Sequence, residues 1–129
     1  QPGERPLAVF FEQGECHACD VLHTGPLSEP EIRARFERME SIQLSFWGET
    51  PVITPAGERT TARKWAAQLG LFYTPTLIFF DRSGREIIRV DSVVQFYRLR
   101  NVLDYILDGG YLEHATFQHW RQLRKRGDE

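Results

Sequence analysis

The sequence predicts an α/β domain: a mixed sheet of about four strands, helices on both faces, and a helical extension at the C-terminus. Three observations carry this. A short apolar run near the start is followed by helical patterns and then a second strand, a unit that requires a parallel pair with a right-handed crossover. Two later strand-like runs are joined only by "DRSGR", which makes an antiparallel hairpin. Apolar residues at helical spacing bracket that hairpin, so both faces of the sheet have helices to cover them. At 129 residues the chain is long enough for one core and is read as one compact unit.

Leu7–Phe11 is a continuous apolar run bounded by Pro6 and the polar "EQGE", the pattern of a strand buried on both faces. "LSEPEIRARFERM" is a helix whose expected start is Ser28 as N-cap, Glu31 as its capping-box partner and Leu27 stapled onto Ile32. "SIQLSFW" alternates Ile42, Leu44 and Phe46 against Gln43, Ser45 and Trp47, a strand with one apolar face. "GETPVITPAGER" is loop, with room for a small hairpin around "VIT". Thr60 or Thr61 caps a helix through Ala62, Trp65, Ala66 and Leu69, which Gly70 ends. Thr76–Phe80 and Glu86–Val90 are the hairpin strands. Leu99, Val102, Leu103, Ile106 and Leu107 form a helix stopped at Gly109-Gly110, and Phe117, Trp120 and Leu123 behind Thr116 form a last amphipathic helix.

Composition excludes several classes of function. The chain is 41% hydrophobic with a formal charge of −2, which argues against disorder and against a nucleic-acid or membrane-surface partner. Its densest basic cluster, "RQLRKRGDE", reads as a solvated helix end. No apolar run approaches the roughly 18 residues of a membrane span. The opening "QPGERP" carries no signal-type segment and fits a mature terminus left by cleavage as well as a cytosolic start.

Cysteine occurs twice, as Cys16 and Cys19, where the first strand hands over to a helix. Cys16 is expected at or just before the first helical turn, where free amides and the positive dipole end favour a thiolate. Cys19 shares its face one turn deeper and can attack a mixed disulfide formed by Cys16. A structural disulfide is the plainer alternative, but so short a loop stabilises by only about 2 kcal/mol. A zinc site drawing on Cys16, Cys19, His114 and His119 is a second alternative, with its halves roughly ninety residues apart instead of the about 12–15 of a zinc finger. Covalent haem requires His directly after the second cysteine, where Asp20 stands. Trp47, Trp65 and Tyr73 are candidates for a substrate groove, though core positions are the commoner fate of such residues.

With "FEQGECHAC" and "LGLFYTPTLIFFD", the chain resembles the thioredoxin superfamily. "IQLSFWGETPVITPAGE" and the tail "YILDGGYLEHATFQHW" make it similar to the SoxW-type periplasmic thioredoxins of sulfur-oxidation gene clusters. The resemblance implies a thioredoxin-like domain over residues 1–110, with 111–129 as a helical extension packed on it. It implies an exposed nucleophile at Cys16, a resolving Cys19, a cis Pro75 beside them, and Thr74 offering backbone hydrogen bonds to a substrate strand; His17 is a further substrate-side candidate. It implies a monomeric thiol–disulfide oxidoreductase acting mainly as a reductase of protein disulfides. The Cys16–Cys19 disulfide is then the redox group, with no other cofactor. The expected setting is the periplasm, with a membrane-bound electron donor and a sulfur-carrier protein as one client. A disulfide oxidase or isomerase, or a non-catalytic metal- or partner-binding module, are the rival readings.

Two departures from the family pattern stand out. His17-Ala18 separates the cysteines after Glu15, where thioredoxins carry Gly-Pro after Trp. A protonated His17 favours the Cys16 thiolate and Glu15 opposes it, so the direction of electron flow stays open. Phe10 stands where thioredoxins place a buried Asp that takes the proton of the resolving cysteine. His23, four residues after Cys19 and on the same helical face, is the candidate for that work together with Glu12. The plainer reading of His23 is a half-buried helix residue making one hydrogen bond.

Overall fold

The computed structural model describes residues 5–90, 95–114 and 116–127. Strand β1 (Leu7–Glu12) lies inside a four-stranded sheet, parallel to β2 (Glu40–Ser45) on one side. On its other side it runs antiparallel to β5 (Thr76–Phe80), which in turn pairs antiparallel with β6 (Glu86–Val90). The sheet order is β2-β1-β5-β6. Strands β3 (Pro51–Ile53) and β4 (Arg59–Thr61) form a separate hairpin in the predicted loop, around the "VIT" segment.

Alternation along the central strands builds two cores. Ala8 and Phe10 of β1 and Leu77 and Phe79 of β5 face Leu22 of α1 (His17–Thr24), Ile32 of α2 (Pro30–Phe36), and Leu99, Val102 and Leu103 of α4 (Phe96–Leu107). Val9, Phe11, Ile78 and Phe80 face α3 (Ala62–Gln68) through Ala62, Trp65 and Ala66. Trp65 bridges that second core, with ring centroids 5.5 Å from Phe11 and 5.8 Å from Phe80. Both faces of β1 are thus covered, which is why its run is apolar without alternation.

Two helix ends follow the expected chemistry. Thr61 Oγ1 accepts the Lys64 N–H at the start of α3, and Gly70, at φ +74°, supplies the left-handed residue after its end. The expected start of α2 is different. Ser28 lies in a single 3₁₀ turn, Pro26–Ser28, and its hydroxyl donates to the carbonyls of Thr24 and Gly25. It therefore serves the end of α1. The N-cap of α2 is Glu29, and no side chain caps it, so no capping box forms with Glu31. Pro30 sets this boundary: at the first helical position it needs no N–H partner and its φ is already helical. Leu27 and Ile32 still enter the same core.

Strand β2 buries less than its alternation implied. Leu44 and, just beyond the strand, Phe46 are buried, but Ile42 is exposed because β2 is an edge strand.

The C-terminal segment folds back on α4. After Gly109, a short helix α5 (Gly110–Glu113) leads to α6 (Phe117–Gly127), where Thr116 Oγ1 accepts the His119 N–H. Tyr105 of α4 donates its hydroxyl to His114 O at 2.7 Å and packs against the rings of Phe117 and Trp120. Asp104, buried beside it, accepts from Arg35 Nε of α2 at 2.7 Å and from Arg124 Nη1 of α6 at 3.0 Å. Burial pushes the Asp104 carboxyl up, but the hydrogen bonds from Arg35 and Arg124 outweigh it and hold its pKa below the ordinary value. One carboxylate thus ties three helices together.

Candidate active site

β1 delivers the chain to the site, and the turn that follows aims it. Glu15, at φ +53°, is the one non-glycine residue at positive φ among the described residues, and it reverses the chain immediately before Cys16. Cys16 is the N-cap of α1, with extended backbone angles, and its Sγ accepts the Cys19 N–H at 3.1 Å. The sulfur fills the role that a Ser or Asp oxygen usually fills at this position. Cys16 and Cys19 form a disulfide with their Cα atoms 5.2 Å apart. The helix-start position inferred from sequence is therefore the observed one.

The expected open, water-facing Cys16 is not. Cys16 keeps 8% of its surface and Cys19 keeps 3%. Cys16 is the more accessible of the two, and Thr74 of the turn before β5 lies against its sulfur. In that turn the Thr74–Pro75 peptide bond is cis and Pro75 is fully buried. Thr74 Oγ1 lies 3.5 Å from Cys16 Sγ and Thr74 O lies 3.9 Å away. In the disulfide the sulfur has no proton to give, so the Thr74 hydroxyl is the donor available to it. Thr74 and Pro75, just before β5, and Cys16 and Cys19, just after β1, are thus brought together at one end of the sheet's antiparallel pair, where Phe11 stands opposite Thr76.

A polar cluster joins the end of β1 to α1 and β2. The Glu12 side chain, at the end of β1, is buried, and both its oxygens lie within 2.9 Å of His23 Nε2. Gln43 Nε2 donates to Glu12 Oε2 at 2.9 Å. Phe10 is packed in the core as an ordinary hydrophobe, and Glu12, two residues on, points to the same face of the strand. The carboxylate has thus moved two residues along one face, toward the cysteines. His23 is one helical turn from Cys19 and its side chain is 46% exposed, so it links the buried acid to solvent.

The other candidates separate. His17, at the first position of α1, is exposed. Trp65 is core, while Trp47 and Tyr73 are exposed. Trp47 is held by its Nε1, which donates to Gln13 Oε1 at 2.7 Å in the loop before the cysteines. Sequence reasoning gave no role to Phe72, the most exposed large apolar side chain among the described residues at 87%. Its place directly before "YTPT" was the available signal. Gln43 was also missed, since alternation put it on the polar face of β2 and nothing local shows that this face reaches Glu12. His114 and His119 pack ring against ring in the C-terminal segment. Among the described residues no three His, Cys, Asp or Glu side chains are gathered as for a metal ion.

A disulfide at a helix start, closed over by a cis-proline turn on a mixed four-stranded sheet, defines a thiol–disulfide oxidoreductase of thioredoxin-like fold. Residues 1–107 match the model of the thioredoxin-like domain, and the chain belongs to that family. Among curated proteins none matches it in sequence. Its structure is similar to that of a thioredoxin-fold protein from Helicobacter pylori, with a TM-score of 0.80 and 16% identity over 98% of this chain and 83% of that one. A thioredoxin from Thermus thermophilus aligns with a TM-score of 0.68 and 20% identity, over 85% of this chain and 80% of that one. The reduced C-terminal domain of DsbD from Neisseria meningitidis aligns at 0.59 and 15%, over 79% and 81%. At such identities the likeness speaks for the fold.

Proposed function

We propose that the chain is a reductase of protein disulfides that works through a Cys16–Cys19 dithiol. The observation that carries this reading is Cys16 Sγ placed as the cap of its own helix, against Thr74. In the reduced protein the Cys16 thiolate attacks one sulfur of a client disulfide, forming a Cys16–client bond and releasing the other client sulfur as a thiolate. Cys19 then gives up its proton and attacks Cys16 Sγ. The Cys16–Cys19 bond forms, the Cys16–client bond breaks, and the second client sulfur leaves as a thiolate. Two electrons pass to the client; of the two protons its thiols take up, one is given up by Cys19 and the other comes from water, where Cys16 lost its own on ionising.

Roles follow from position. Thr74 presents its backbone to the client strand, with cis-Pro75 keeping that turn beside the sulfurs. His17, exposed at the helix start, faces the client and favours the thiolate when protonated. Glu12 with His23 takes the proton of Cys19, a reading supported by their hydrogen bond and by the single turn between Cys19 and His23. The SoxW-type resemblance supports a periplasmic setting, a membrane-bound electron donor that re-reduces the pair, and a sulfur-carrier protein among the clients. The chain acts as a monomer in this reading, and residues 111–129 are an appendage of the same domain. Among the described residues no helix is long and apolar enough to cross a membrane.

Insulin reduction driven by dithiothreitol tests the activity: wild type should precipitate insulin B chain, while Cys16→Ala should not. Cys19→Ala should accumulate a mixed disulfide through Cys16. A redox titration then assigns direction, since a reductase poises near thioredoxin at about −270 mV and an oxidase near DsbA at about −120 mV.

A further inference from the structure

The Glu12–His23 pair has a third partner that no part of the exchange chemistry names. Gln43 is in register with Phe10 across the parallel β1–β2 pair, and its amide reaches forward along the sheet to Glu12 Oε2. Gln43 also lines a cleft of about 290 Å³ with Glu12, Gln13, Gly14, Leu44 and Ser45. Among the described residues, the side chains hydrogen-bonded to the Glu12 carboxylate are the imidazole of His23 from α1 and the neutral amide of Gln43 from β2. From β5, Thr76 stands opposite Phe11 and brings no charge.

We propose that Gln43 is a positioning residue for proton transfer: it holds the buried Glu12 carboxylate beside α1, where His23 also reaches it. The inference rests on Glu12–His23 as the acceptor of the Cys19 proton. Its physical content is that an N–H donated to a carboxylate favours the ionised form, the only form that can accept a proton.

The test uses the reduced full chain with 5,5′-dithiobis(2-nitrobenzoate) in stopped flow. The first thionitrobenzoate released reports attack by Cys16, and the second reports resolution by Cys19. Gln43→Leu should leave the first phase unchanged and slow the second about tenfold at neutral pH, the equivalent of one charge-assisted hydrogen bond. The acid limb of the second phase should move to higher pH. Gln43→Lys, which restores a donor, should move that limb to lower pH. Limbs that stay at the wild-type position, or that move the same way in both variants, overturn the inference. Glu12→Gln separates this from the underlying reading. If it leaves the second phase and its pH profile untouched, Glu12 is not the acceptor; if it abolishes the limb while both Gln43 variants behave as wild type, Gln43 alone is excluded.

Discussion

The backbone N–H of Cys19 donates to Cys16 Sγ at 3.1 Å, so the sulfur that opens helix α1 is capped by the residue that shares its disulfide. A hydrogen bond of this kind survives reduction, because it needs only the sulfur lone pairs, and it is stronger to a thiolate than to a thiol. The helix start adds its own positive potential. In the reduced protein, alkylation of Cys16 by iodoacetamide should therefore inflect below the ordinary thiol range near about 8.5. An inflection at or above that range would remove the helix start from the account.

Phe72 tests where clients dock. With 87% of its surface exposed it contributes little to the core, so Phe72→Ser should change stability by less than about 0.5 kcal/mol. It stands two residues before Thr74, which touches Cys16. Reaction with a small aromatic disulfide should be unaffected, while KM for insulin should rise roughly threefold or more, about 0.7 kcal/mol of lost contact. Equal KM values in the two proteins would place docking elsewhere.

Asp104 tests the clamp on the C-terminal helix. Asp104→Asn leaves Arg35 and Arg124 without their carboxylate and should lower stability at pH 7 by about 1–3 kcal/mol, since both arginines keep some contact with water. The wild-type carboxyl is held below its unfolded value, so its contribution is complete above about pH 4 and is lost as pH falls through the folded value. Urea unfolding of the two proteins should show a gap at pH 7 that narrows by pH 3. A gap of constant size would mean the charge is not what matters.

Gly110→Ala should loosen the same helix from another side. A β-carbon there would lie 2.5 Å from Trp120 Nε1 and 2.9 Å from Tyr105 Cδ1, closer than packed atoms approach. We expect a loss of about 1–3 kcal/mol and altered Trp120 fluorescence, with the rates of thiol exchange unchanged. An unaltered melting temperature would show that α6 shifts freely.

Much of the fold was legible because the relevant physics is local. The apolar run of β1, the "DRSGR" turn and Thr61 with Gly70 each announce themselves within a few residues. So did the joining of strand and helix at Cys16. Ser28 misled because Ser28 as N-cap and Pro30 as first helical residue propose helix starts one position apart, and only the neighbouring carbonyls of Thr24 and Gly25 decide between them. Ile42 misled because alternation identifies a face but not whether the strand lies at an edge.

What the chain alone determined is the chemistry on offer: two thiols one helical turn apart at a helix start, and a Thr-Pro pair heading a strand. The tertiary structure decided how that chemistry is enclosed. Closing the sheet put Thr74 over Cys16 and left 8% of that residue open. Pairing β1 with β2 brought Gln43 to Glu12, and packing α1 on the sheet brought His23 there too. Those contacts join residues 11 to 58 positions apart, and no local pattern encodes them, because each depends on which strand lies beside which.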